Sequence, residues 1–406
     1  MHRPCFEDYC QLVRNQCYSL GDLPLPSESQ LATSYQLCLQ MITAAQASDE
    51  QALSFAEFVH RALYTSELGY YVNGQLPFGE LGDFVTAPEI SSMFGQFVAS
   101  SLLPVLPHVD ECIYEFGAGS GQLAAQILLY LKSIDFPLKH YFIIEVSAPL
   151  RALQQETLTK AGVYDPDIVQ WLSAPPAKEF SGCVLGNEVL DAIPSHRFKW
   201  VEGEAQEQKI RWSKEGWQTI WSSRLSDELE QWLMQHRDKL PKTEQVVFEA
   251  SPWRSGWLAT LSQTLSTGAI VLLDYGYAAD ELFHPQRIDG SVQCFYRHRR
   301  HVHFEQLVGL QDITTHVNFS ELCGMAESLG WELTGYCSQA EYLLSNGTHL
   351  NMAEESSLVQ RVERSQSLQK LLLPSEMGES VKVIAFVKNI SENARPSVPD
   401  TLESRL

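Results

Sequence analysis

Three glycines alternate with small residues in Glu115-Phe116-Gly117-Ala118-Gly119-Ser120-Gly121. An apolar strand pattern precedes the segment, and a helical pattern carrying Leu123, Ile127, Leu128 and Leu131 follows it. Such a junction brings a ligand close to the backbone. Gly117 and Gly119 can take conformations that a Cβ would penalise, and the helix start offers free N–H groups. The spacing is not that of a dinucleotide loop, because Gln122 stands where a third glycine or alanine is expected. Glu115 would also repel a pyrophosphate, whereas it can pair with the amino group of S-adenosyl-L-methionine. The loop therefore favours that cofactor, with Glu115, Gly117, Ala118 and Gly119 as contacts, over a nicotinamide dinucleotide. A glycine-rich turn without a ligand is the alternative.

Other candidate residues fall at strand ends. Glu145 closes Tyr141-Phe142-Ile143-Ile144-Glu145, 24 residues after Gly121, near the spacing at which a carboxylate meets a ribose diol. Asn187, Glu188 and Asp191 follow the apolar run from Cys183, at the carboxyl end of a central strand, where open α/β sheets hold ligands. Asn187 is assigned to the cofactor, and Glu188 and Asp191 to the acceptor. Their alternative role is to cap the turn. Glu249, ending a further strand, is a weaker acceptor candidate. Asp83, Thr86 and Glu89 surround Pro88 in a loop expected to cover the cofactor, although Asp83 and Glu89 also suit turn and helix-start positions. Arg297, His298, Arg299, Arg300, His301 and His303 form a basic cluster. Its arginines would repel a cation, so no metal site is expected there.

The elements that position these groups follow a doubly wound pattern. Four strands are expected within 111–116, 140–145, 183–188 and 269–276, with a fifth at 168–172. The stretch 196–222 reads as a β-meander insertion. Ser54 and the pair Ser251-Pro252 are expected to open helices, and Leu31 to Gln46 reads as a third helix. The expected division is a helical N-terminal region with a cofactor-covering loop over 1–105, an α/β domain over 106–280 with an insertion near 196–240, a smaller acceptor-side unit over 281–390, and a disordered tail over 391–406.

The segments GDFVTAPEISSMFGQ, EFGAGSGQLA, IIEVSAPLRALQ, GNEVLDAIPSHRF, LLDYGY and QDITTHVNF, in that order, resemble the MidA family of methyltransferases over about residues 50–390. The resemblance implies a class I, Rossmann-like methyltransferase sheet, and it carries the cofactor role to Glu115, Gly117, Gly119 and Glu145. The family in turn resembles the mitochondrial assembly factors of respiratory complex I, for which protein arginine methylation is the implied activity. For an arginine acceptor, Glu188 and Asp191 would hold the planar guanidinium in a fork. Asp312 to His316, another block of the resemblance, reads as part of a lid or acceptor wall. A cofactor-binding assembly factor with little turnover is the rival function, and a nicotinamide oxidoreductase is disfavoured by the glycine spacing.

Composition narrows the partners. The formal charge of −21 opposes generic nucleic-acid binding and favours a basic client. A protein substrate is expected, with a respiratory-complex subunit as one such client, and the chain is compatible with a homodimer. No apolar run approaches the ~20 residues of a membrane span. The nine cysteines contain no C-x-x-C pair and point away from a disulfide framework or thiolate cluster. With no h-region or transit-peptide character at the N-terminus, a bacterial cytoplasmic location is expected.

Overall fold

The computed structural model describes residues 3–74, 83, 85–347 and 358–406. The chain divides into two compact units, one of 1–84, 192–254 and 281–316, the other of 85–191, 255–280 and 317–406. The second is the α/β unit. Its main sheet runs, in spatial order, Glu332–Ser338, Val381–Lys388, Leu265–Tyr277, Phe180–Asn187, Cys112–Phe116, His140–Ile144 and Val169–Leu172. The five strands from Leu265–Tyr277 to Val169–Leu172 are parallel. Val381–Lys388 enters antiparallel to both its neighbours.

The apolar runs explain this order. Cys112–Phe116 is buried at every position, and Val184, Leu185, Ile270 and Val271 are fully enclosed. Each such side chain contributes roughly 1.5–3 kcal/mol by leaving water, so these strands occupy the centre. Helix Gln122–Ser133 packs Leu123, Ile127, Leu128 and Leu131 into the same core. Its start is set by Gly121 at φ +84°.

The other unit holds helices Phe6–Ser19, Glu28–Ala47 and Phe55–Tyr64 with two antiparallel sheets. Ser54 caps the third helix by accepting from the Glu57 amide at 3.1 Å. The expected meander is present as His196–Val201, Glu204–Ser213 and Gly216–Ser222, extended by Val247–Ala250 and Leu53–Ser54. Phe58, Ile42, Trp217, Phe304 and Leu307 lie in its core.

The division differs from the expected one at four places. Residues 85–105, expected with the N-terminal region, belong to the α/β unit. The insertion groups with residues 1–84, because its strand Glu204–Ser213 pairs with Leu53–Ser54. Residues 281–390 are not one unit: 281–316 join the first unit, while 317–390 supply two strands of the main sheet and the short strand Val317–Asn318, which pairs with Leu265–Tyr277. The terminal segment 391–406, expected to be disordered, is tied down by hydrogen bonds from the Ser397 amide to the Ser101 carbonyl at 2.8 Å and from the Leu402 amide to the Tyr336 carbonyl at 3.0 Å. Among the described residues no helix is long and apolar enough to cross a membrane.

Candidate functional site

The glycine loop begins where strand Cys112–Phe116 ends in the α/β unit. Gly117, Gly119 and Gly121 have φ of +62°, +54° and +84°, the left-handed region that side chains disfavour. Space is also restricted. A Cβ on Gly117 would lie 3.1 Å from Val189 Cγ2, and one on Gly121 would lie 3.0 Å from the Gln154 backbone. No side chain caps helix Gln122–Ser133 at Gly121, so the N–H groups of its first turn are available to a polar ligand. Glu89, in the short helix Ala87–Ile90, accepts a hydrogen bond from Ser120 Oγ of the loop. Gln126 holds that short helix by donating to the Pro88 carbonyl at 2.7 Å.

Glu115 lies beneath the loop, almost fully enclosed, and accepts from Tyr141 Oη at 2.7 Å. Burial raises its carboxyl to about 7, against the lowering effect of that hydrogen bond. The native state therefore keeps a proton that the unfolded chain loses near pH 4.5. This contribution leaves stability unaffected below pH 4.5 and lowers it as pH rises towards 7, by at most about 1.4 kcal/mol per pH unit. Glu115→Gln keeps the shape and an acceptor for Tyr141, so it should melt several degrees above the parent at pH 8 and close to it at pH 4.5. Thermal melts in which the two proteins differ equally at both pH values would contradict this assignment.

Glu145 is fixed from two sides. Oε1 accepts from the Ser147 amide at 2.8 Å, and Oε2 accepts from Gln154 Nε2 at 3.3 Å. Burial raises its carboxyl, partly offset by these bonds. Gln154 also donates to the Gly119 carbonyl at 3.0 Å and accepts from Trp171 Nε1 at 2.8 Å. It thus joins the glycine loop, the Glu145 carboxylate and the edge strand. Its role escaped the sequence reading. The available signal was a glutamine on the stripe Leu150, Gln154, Leu158, the buried positions of helix Ala148–Lys160.

The third element is the turn after Asn187. Asn187 Nδ2 donates to Glu188 Oε1 at 3.3 Å, while its buried Oδ1 has no hydrogen-bond partner among the described residues. Glu188 sits at φ +54°, a conformation that costs a non-glycine residue on the order of 1–3 kcal/mol. Asp191 is buried. Asp274 anchors the turn, accepting from the amides of Val189, Leu190 and Asp191 at 3.0, 2.7 and 3.3 Å. The phenol of Tyr275 is raised by burial and then by the charges of Glu188, Asp191 and Asp274, which marks this edge as strongly acidic.

All the remaining candidates except Thr86, which lies in the α/β unit, belong to the other unit. Glu249 accepts from Arg197 Nε at 3.2 Å and from the Ser291 amide at 2.9 Å, a structural engagement. Asp83 accepts from Tyr70 Oη and from the Arg297 amide, each at 2.7 Å, and so holds the turn at Arg297-His298, both residues of which have positive φ. In the block expected to cover the cofactor, residues 82 and 84 lie outside the described residues, as do residues 75–81 before it. Thr86 precedes helix Ala87–Ile90 without a side-chain cap bond. In the basic cluster, burial and the neighbouring His303 lower His301 to about 4. Asp312 accepts from Tyr71 Oη at 2.7 Å, and burial raises its carboxyl to about 7. Thr315 Oγ1 meets Ser195 Oγ at 2.8 Å, so segment 312–316 is woven into its own unit.

A family model described as "Putative S-adenosyl-L-methionine-dependent methyltransferase" matches residues 98–337. The chain is 34% identical to a Burkholderia thailandensis protein whose crystal structure holds S-adenosyl-homocysteine, with a TM-score of 0.83 over 92% of this chain and 97% of that one. The mitochondrial protein arginine methyltransferase NDUFAF7 of Mus musculus is 26% identical, covering 92% of this chain and 88% of the relative. That of Bos taurus is 28% identical, covering 86% and 84%.

Proposed function

The chain belongs to the S-adenosyl-L-methionine-dependent methyltransferase family, and from that premise we propose that it methylates the guanidinium of a protein arginine. Its cofactor is S-adenosyl-L-methionine, and the residues present suit that group. Asn187 Oδ1 and Ser147 Oγ are buried polar atoms without partners among the described residues, beside a loop whose glycines leave the backbone accessible. The backbone of 117–121, with Glu115, Glu145 and Asn187, would hold the cofactor. When bound, it supplies an electrophilic methyl group on a sulfonium.

The observation that carries the arginine reading is the acidic edge at Glu188 and Asp191, built on the turn that packs against Gly117. A guanidinium is planar, carries a permanent charge and donates in a fork that carboxylates match. Methyl transfer depends chiefly on alignment, an effect worth up to roughly 7–11 kcal/mol. Glu188 and Asp191 would orient the attacking nitrogen and accept the proton it releases. The curated relatives, named protein arginine methyltransferases, agree with this reading.

The test supplies purified protein and methyl-labelled S-adenosyl-L-methionine to a lysate from cells lacking this gene. Label should enter protein and be recovered by mass spectrometry as methylarginine. Label confined to lysine, to small molecules or to nothing would overturn the arginine assignment.

A further inference from the structure

We propose that Asp274 is a positioning residue that sets the acceptor-side turn and, through that turn, the glycine loop; this rests on the methyl-transfer reading above. Asp274 follows Leu273 in strand Leu265–Tyr277, and Leu273 is the register partner of Asn187. The neighbouring strand leaves the ladder there. Its last bond runs from the Glu188 amide to the Leu273 carbonyl at 2.8 Å, and the chain then turns sharply through the left-handed Glu188.

Such a turn leaves three successive N–H groups in a buried place, where unpaired donors are costly. A single oxygen, Oδ2 of Asp274, receives all three, while Oδ1 accepts from the Tyr275 amide at 2.8 Å. Four backbone donors converge on one enclosed carboxylate, a charge-assisted arrangement that fixes the path of 188–191. Asparagine cannot reproduce it. With its oxygen on the turn, its amide nitrogen would confront the Tyr275 N–H.

The turn has two outputs. One is the placement of Glu188 and Asp191. The other is Val189, whose Cγ2 lies 3.1 Å from the site of a Cβ on Gly117 and 3.6 Å from one on Gly186. Asp274 therefore acts on both halves of the site through the backbone without presenting its own carboxylate to a substrate.

The test compares Asp274→Asn and Val189→Ala with the parent by S-adenosyl-homocysteine calorimetry, amide hydrogen exchange and transfer rate per cofactor-binding molecule. Asp274→Asn should speed exchange in the peptide 186–192 at least tenfold and lower kcat about a hundredfold, with cofactor affinity falling less than tenfold. Val189→Ala retains the carboxylate and should fold normally while weakening S-adenosyl-homocysteine about three- to tenfold. A purely structural Asp274 would lower the melting temperature yet leave kcat per binding site unchanged, and that result would overturn the proposal. Should Asp274→Asn not fold, unchanged cofactor affinity in Val189→Ala would overturn it as well. Absence of transfer by the parent would instead defeat the methylation reading, with hydrogen exchange still judging Asp274.

Discussion

Gly119→Val should abolish measurable S-adenosyl-homocysteine binding, a loss of at least about a hundredfold, while the protein still melts cooperatively. Gly119 occupies φ +54°, and a β-branched residue is among the least tolerant of that region. The local strain alone is on the order of 1–3 kcal/mol. Relaxing it would displace the Gly119 carbonyl, which accepts from Gln154, and Gln154 also positions Glu145. One substitution would thereby disturb both the loop and the carboxylate expected at the ribose. The strand ladder ends at Phe116, before the loop, so the sheet should survive and the melting temperature should drop by only several degrees. Calorimetry showing affinity within threefold of the parent would remove the loop from the cofactor site.

The parts of this site that were legible in the sequence are those governed by local chemistry. A strand pattern running into alternating glycines announces a loop with positive φ, and Gly117, Gly119 and Gly121 adopt it. Glu145 and Asn187 were placed at strand ends by the apolar runs before them, and both stand there. Gln154 and Asp274 were not legible, because the contacts that give them a role, to the Gly119 carbonyl and to the turn amides of 189–191, span 35 and more than 80 residues of sequence. Nothing local distinguishes a glutamine on a buried helix face, or an aspartate ending a strand, until the fold supplies the donors it meets. The closing strand Val381–Lys388 shows the same limit. Valine and lysine alternate at its start, yet nearly all its residues are buried, because it inserts between two other strands. Asp83 and Glu89 make the contrast within one sequence block. Glu89 meets Ser120 of the glycine loop, whereas Asp83 supports the Arg297-His298 turn.

Replacing Glu188 with Gln and Asp191 with Asn should lower methyl transfer by about 10² to 10⁴ while leaving S-adenosyl-homocysteine affinity within about threefold. Both substitutions preserve shape and most hydrogen-bonding capacity, and they delete the charge that would orient a guanidinium. The competing account makes these carboxylates caps for their own turn. The amides of 189–191 are already received by Asp274, so the turn does not require Glu188 or Asp191 for that purpose. Glu188 also holds a conformation that glycine would adopt at lower cost, which argues that its side chain is retained for another reason. Glu188→Gly should accordingly keep or raise the melting temperature and still lose transfer. Rate and melting temperature measured on each variant separate the accounts. Near-parental turnover with a lowered melting temperature would make the pair structural, and loss of cofactor affinity together with turnover would move Glu188 and Asp191 to the donor pocket.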